Sequence, residues 1–271
     1  MAKPSAGKLY VVLRTVGELL VTLGVIVLLF VVYTLYVTDI VAARKQRDAN
    51  SELDRSWSAR PAQPQQRPEK LPDGKPFTRL YIPRFGADYR FAVIEGVDQA
   101  QLDAGPGHYP NSARPGEPGN FAVAGHRIGK GAPFNDLDEL RACDPIVVET
   151  RADFLVYRVL PMAEQVRDWD RLRGQDPRCA RVPSLRSTPD YRDTVGRKLV
   201  TPDRGDAVAP VPYHPDSELP IADQKSLLTL TTCHPEYGNS QRMIIHAVLT
   251  DQIGKRGRGG YPTLLRQLGE A

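Results

Sequence analysis

Twenty consecutive uncharged residues, Leu19 to Thr38 (LLVTLGVIVLLFVVYTLYVT), constrain this chain more than any other feature. As a helix rising about 1.5 Å per residue they reach about 30 Å, the thickness of a bilayer's hydrocarbon core. A helix buried in a soluble core normally keeps a polar face, and the apolar stretch of a cleavable signal peptide is only about 7–15 residues long. The length therefore favours one uncleaved transmembrane anchor over residues 19–41, preceded by a short N-terminal segment, residues 1–18. Tyr33 and Tyr36 suit the interfacial aromatic belt. Lys3, Lys8 and Arg14 before the span are balanced by Arg44, Lys45 and Arg47 after it, so charge alone does not orient the anchor.

The remaining chain has the composition of a soluble domain. With 25% charged residues in 271, a polytopic membrane protein is excluded. The overall charge of +4 invites a nucleic-acid reading, but the basic excess lies in the flanks and leaves residues 76–253 at net −3. A domain that gripped phosphate backbones would carry the opposite sign, which argues against nucleic acid as a partner. Residues 42–75 are rich in Pro, Gln and charge and poor in large apolar side chains, the composition of a disordered stalk.

Between residues 76 and 253 the pattern is short and two-periodic. Strands are expected at 80–82, 91–94, 121–124, 145–149, 153–160, 226–232 and 243–249, separated by Pro, Gly, Asn and Asp clusters. Many short strands with few long helical stretches make this an all-β fold, a barrel or a sandwich. A short helix is expected over 135–141. Residues 163–215 show little periodicity and read as a long excursion between two strands. The tail, 254–271, reads as a flexible basic turn followed by a short amphipathic piece.

Three side chains could carry chemistry. Cys233 closes a strand, a Pro/Gly/Asn turn follows, and Arg242 opens the next strand nine residues on, a hairpin in which neighbouring strands lie about 4.8 Å apart. A guanidinium stays protonated at working pH and offers five fixed donors, suited to a thiolate or an oxyanion. His126, in FAVAGHRIGKGAPF, ends another apolar strand and is the best placed of the five histidines for proton transfer. Each also has an ordinary explanation: a buried thiol, a solvated strand-end charge, a polar residue at a sheet edge.

Together, however, the motifs resemble the sortases, the membrane-anchored cysteine transpeptidases of Gram-positive bacteria. Thr229-Leu230-Thr231-Thr232-Cys233 matches the family's TLxTC motif, Arg242 follows at the family spacing, and Ala124-Gly125-His126-Arg127 matches the histidine segment. The runs around Gly105 to Pro110 and Pro115 to Asn120 also resemble the family, and the likeness covers roughly residues 76–251. TLTTCHP, the single anchor and the polar stalk are most similar to class E, found in high-GC actinobacteria.

The resemblance implies an eight-stranded sortase-type β-barrel with short helices, preceded by one N-terminal transmembrane helix. It implies a cell-membrane enzyme, single-pass, with the catalytic domain extracytoplasmic. Such an enzyme cleaves an LAxTG- or LPxTG-type sorting signal between Thr and Gly and joins the Thr carbonyl to a peptidoglycan amine through a thioester. Cys233 is the implied nucleophile, Arg242 the oxyanion or backbone holder, and His126 the proton donor and acceptor. No metal or organic cofactor is implied; the partners are surface proteins carrying the signal and the peptidoglycan precursor amine. Tyr109 resembles a tyrosine linked to the LAxTG preference, with simple packing between Pro106 and Pro110 as the alternative, and Thr231 and Thr232 are expected to line the groove. His234, adjacent to Cys233, should point away from it by strand alternation.

Two departures stand out. Many sortases have Gly-Asp where this chain has Cys143-Asp144, a place where glycine would fill a positive-φ position, and the excursion at 163–215 is longer than usual. Cys143 and Cys179, one at a turn and one in the excursion, are expected to be separate buried thiols. A pilus-polymerising sortase and a catalytically silent, membrane-tethered binding module are the alternative readings.

Overall fold

The computed structural model describes residues 6–33, 38–59, 70–129, 131–255 and 260–270. Tyr36, residues 60–69 of the expected stalk and most of the expected basic turn lie outside the described residues.

The apolar helix α1 runs Ala6–Val32, with a membrane-length stretch from Tyr10 to Val32. It starts earlier than the uncharged run and includes Arg14 and Glu18, one helical turn apart and paired at 2.8 Å. A second helix, α2, spans Thr38–Ala59, so residues 42–59 are helical rather than disordered. The composition misleads because α2 docks through small and polar side chains. Ala42, Gln46, Ala49 and Leu53, one face at helical spacing, are all buried.

Nine strands form one sheet: β1 (Pro76–Tyr81), β2 (Arg90–Glu95), β3 (Gly107–His108), β4 (Gly119–Ala124), β5 (Pro145–Glu149), β6 (Asp153–Val159), β7 (Arg197–Val200), β8 (Ser226–His234) and β9 (Gln241–Gly254). Their order is β6-β5-β1-β2-β3-β4-β8-β9-β7, and β6 also pairs with β9. That last pairing closes eight strands into a barrel and leaves β7 attached to the outside of β9. Strand β9 can serve three neighbours because it is 14 residues long. Its first half pairs with β7 and β8, and its second half pairs with β6 across a bulge at Thr250.

Alternation fills the barrel with Val93, Phe121, Val123, Ile146, Val148, Tyr157, Leu228, Leu230 and Ile245, each no more than 0% exposed. Burial at that level stabilises a domain by roughly 1.5–3 kcal/mol per large apolar side chain. The expected helix over 135–141 is a single 3-10 turn, Leu137–Glu139, whose Leu137 plugs the same core. Two short helices interrupt the strands, α3 (Gln99–Leu102) and α4 (Trp169–Arg173), and α5 (Tyr261–Leu268) seats Leu264 against Tyr81, Val147 and Phe154.

The excursion after β6 is folded, and it contains the unanticipated β7. Trp169, Val182, Leu185, Tyr191 and Val211 build a second core on Leu227 and Val248 of the barrel's outer face, and the Trp169 indole donates to the Val182 carbonyl at 2.8 Å. Cys143 and Cys179 are joined in a disulfide, not held as separate thiols. The Cys143 turn and the excursion meet because the excursion folds back over β6, a contact that sequence separation does not encode. Cys143 has φ +70°, so the left-handed conformation is kept without glycine, and its amide bonds to Val159 O at 2.9 Å.

Candidate active site

The site is written in strand register. Strands β4 and β8 run parallel with Ala124 opposite Thr231, an offset of 107 residues. The same offset persists past the end of β4. The Thr232 hydroxyl donates to the Gly125 carbonyl at 2.8 Å, and Arg127 Nη1 donates to His234 Nδ1 at 2.9 Å. His126 lies between these two bridges, and 107 residues beyond it is Cys233. On the other side of β8, Cys233 is the direct antiparallel partner of Arg242. By this register His126, just past the end of β4, falls in one row with Cys233 of β8 and Arg242 of β9.

Strand alternation puts the row on the outer face of the barrel. Residues 228, 230 and 232 of β8 look inward with Phe121 and Val123, so Thr229, Thr231 and Cys233 look outward. Directly opposite residues in an antiparallel pair share a face, which gives Arg242 the same side as Cys233. Cys233 is the free cysteine and is half-buried, as His126 and Arg242 are.

Each member is held by local chemistry. Gly125 is required because a Cβ there would press into the Phe134 ring, and the Phe134 amide returns to bond His126 O at 3.0 Å. This closes the loop that follows β4 back onto His126. Asp103 Oδ1 lies 3.7 Å from His126 Nε2, a carboxylate able to favour an imidazolium. Arg242 Nη1 donates to the carbonyls of Asn239 and Gln241, both at 3.0 Å, which folds the guanidinium over the β8–β9 turn.

The remaining expected residues separate into two sets. The Tyr109 hydroxyl and Thr231 Oγ1 are 3.0 Å apart on the same outer face as Cys233. Thr232 faces the other way, is buried, and spends its hydroxyl on Gly125. It therefore supports the histidine segment instead of lining the groove. His234 faces away from Cys233 and is held by Arg127, which also pairs with Asp138 at 3.1 Å.

Sequence reasoning missed Asp103, which carries no motif signal, and missed the support under Tyr109. The neighbouring His108 is buried, with Nδ1 2.6 Å from Glu95 Oε2 and Nε2 3.1 Å from Ala113 O. Below the site, the buried Thr229 hydroxyl donates to Asn120 Oδ1 at 2.6 Å and meets His246 Nδ1 at 2.8 Å, while His246 Nε2 meets the Tyr213 hydroxyl at 2.9 Å. Burial, aided by the charge of Lys198, pushes the His246 imidazole down to about 3, so it stays neutral. Among the described residues, no group of three His, Cys, Asp or Glu side chains is arranged to hold a metal ion.

A family model described as "Sortase domain" matches residues 80–250, which contain the whole row. The chain belongs to the sortase family. Sortase SrtE1 of Streptomyces coelicolor is 29% identical over 257 residues, covering 92% of this chain and 60% of the relative. Sortase SrtE2 of the same organism is 33% identical over 156 residues, covering 54% of this chain and 61% of the relative. The chain thus spans about three-fifths of the length of these curated relatives, which mark it as class E-like. Among solved structures, the SrtF sortase of Corynebacterium diphtheriae aligns with TM-score 0.62 and 40% identity, covering 76% of this chain and 98% of that one. The SrtA sortase of Actinomyces oris aligns with TM-score 0.53 and 29% identity, covering 71% and 90%. These likenesses confirm the eight-stranded sortase barrel expected from the motifs.

Proposed function

We propose that this sortase is a membrane-anchored cysteine transpeptidase that cleaves an LAxTG/LPxTG-type sorting signal between Thr and Gly and transfers the Thr carbonyl to a peptidoglycan amine. The observation that carries this reading is the register that brings His126, just past β4, level with Cys233 of β8, and Cys233 opposite Arg242 of β9. The Cys233 sulfur attacks the Thr carbonyl and the Arg242 guanidinium stabilises the charge that develops on its oxygen. The C–N bond to glycine then breaks, and His126 gives its proton to the departing amine, leaving a thioester on Cys233. The incoming amine attacks that thioester, transfers a proton to His126 and releases the thiolate, so the enzyme returns to its starting form.

Tyr109 and Thr231 form a polar edge beside the nucleophile, which supports their part in reading the signal and, through Tyr109, a preference for LAxTG. The helix from Tyr10 to Val32 supports membrane anchoring. The Cys143–Cys179 disulfide supports an extracytoplasmic barrel, because such bonds persist in oxidising compartments.

The test uses the full chain in detergent micelles, incubated with LAxTG and LPxTG peptides and a glycine- or diaminopimelate-type amine. Amine-joined product cut after Thr, lost in Cys233→Ala, is the expected result. Intact peptide with folded wild-type protein would sink the reading.

A further inference from the structure

Helix α2 contacts the segments on both sides of His126. On one side the Gln46 amide inserts between strand β2 and the loop after α3: Nε2 donates to Ala92 O at 3.1 Å and to Ala104 O at 2.7 Å, while Oε1 accepts from the Ala92 amide at 2.9 Å. Ala104 adjoins Asp103, whose carboxylate faces His126. The fit is close enough that a Cβ on Gly105 would collide with the Gln46 side chain. On the other side, Asp39 in the first turn of α2 accepts a hydrogen bond from the Gly131 amide at 3.1 Å, and the Ala42 methyl lies 3.5 Å from where a Gly131 Cβ would be. Gly131 belongs to the loop that Phe134 closes onto His126.

The far end of α2 is fastened independently. Arg79 of β1 donates to Asn50 at 2.6 Å and to Asp54 at 2.7 Å, and both Arg79 and Lys255 lie over the Trp57 ring. Lys75 pairs with Glu52 at 2.9 Å. A helix serving only as a spacer would need none of these contacts. A helix clamped at its far end can instead hold its first turns, and hence the two loops, in one place.

We propose that α2 is a positioning element of the active site, with Asp39 holding the loop that follows His126 and Gln46 holding the loop that carries Asp103, so that both stay in their working geometry. The inference rests on the proposed role of His126 in proton transfer. Its consequence is that the juxtamembrane helix belongs to the catalytic unit. A loop that is displaced by about 1 Å costs up to about 100-fold in turnover, while substrate recognition at Tyr109 and Thr231 is left in place.

The test compares full-chain wild type, Asp39→Ala, Asp39→Asn and Gln46→Glu in detergent micelles. Asp39 is exposed, so its loss does not threaten folding; Gln46→Glu keeps size and removes the amide donor. Hydrogen exchange over residues 103–105 and 127–134 and steady-state transpeptidation are both read. The expected result is faster exchange over 127–134 in Asp39→Ala and over 103–105 in Gln46→Glu, each with kcat lowered on the order of 10-fold or more at unchanged KM, and with Asp39→Asn, which keeps the acceptor oxygen, close to wild type in both readouts. Unchanged exchange in Asp39→Ala, or faster exchange with kcat retained, would overturn the proposal. Wild-type protein that makes no product would defeat the transpeptidase reading instead, and the exchange data would still decide whether α2 holds the loop.

Discussion

The hydroxyls of Tyr109 and Thr231, 122 residues apart in sequence, meet at 3.0 Å on the face that carries Cys233. The pair links the residue that follows the short strand β3 to the strand that carries Cys233, across β4. Tyr109→Phe keeps the ring and removes the bond, so stability should fall by only about 1 kcal/mol. The larger effect should be on KM and on the ratio of LAxTG to LPxTG turnover, measured as kcat/KM for the two peptides. An unchanged ratio would return Tyr109 to a packing role between its prolines.

Arg242 spans the β8–β9 turn through two carbonyls and also faces Cys233, which demands a planar fork of donors. Arg242→Ala should lower kcat by about 10²- to 10³-fold. Arg242→Lys should recover little of it, since an ammonium keeps the charge but not the geometry. Steady-state kinetics on the sorting peptide checks both.

Much of this site was legible in the sequence. The 107-residue separation of His126 and Cys233 is the register of β4 against β8, and the nine residues from Cys233 to Arg242 are a hairpin that returns one strand directly opposite the other. Strong alternation at Phe121–Val123 and Leu228–Leu230 exposed the strands that carry the row. What stayed hidden lacked periodic apolar signal. The buried stripe of α2 contains a single large aliphatic residue, Leu53, alongside two alanines and Gln46, so its docking is written in hydrogen bonds that composition does not reveal. The second core is built from Trp169, Val182, Leu185 and Tyr191, spaced irregularly through 3-10 turns, and β7 is only four residues long. Thr232 was separated from Thr231 only by which face of β8 it occupies.

The Cys143–Cys179 disulfide closes a 36-residue separation and ties the second core to the barrel. The double variant Cys143→Ala/Cys179→Ala should lose about 2–4 kcal/mol of stability, seen as a lower Tm in thermal unfolding. Thiol titration of the unfolded, unreduced wild type should find one reactive thiol and the reduced protein three. Equal Tm values for the variant and the wild type would remove the disulfide from the account of the excursion's stability.

His246 sets a pH dependence of stability. Burial holds its folded-state value at about 3, below the ordinary 6.5. Between those values the unfolded chain binds a proton that the folded chain refuses, so stability is lost as pH falls from about 6.5 toward 3. The contribution is on the order of several kcal/mol, and His246→Gln should flatten the slope of Tm against pH in that window. A slope identical to wild type would mean that His246 is not the group responsible.

The most direct test of the central claim is the intact mass of the full chain after mixing with an LAxTG peptide and no amine. The expected result is an adduct equal to the peptide through Thr, carried on Cys233, released by an added amine and missing in Cys233→Ala. Folded protein with no adduct, or an adduct that persists in Cys233→Ala, would contradict it.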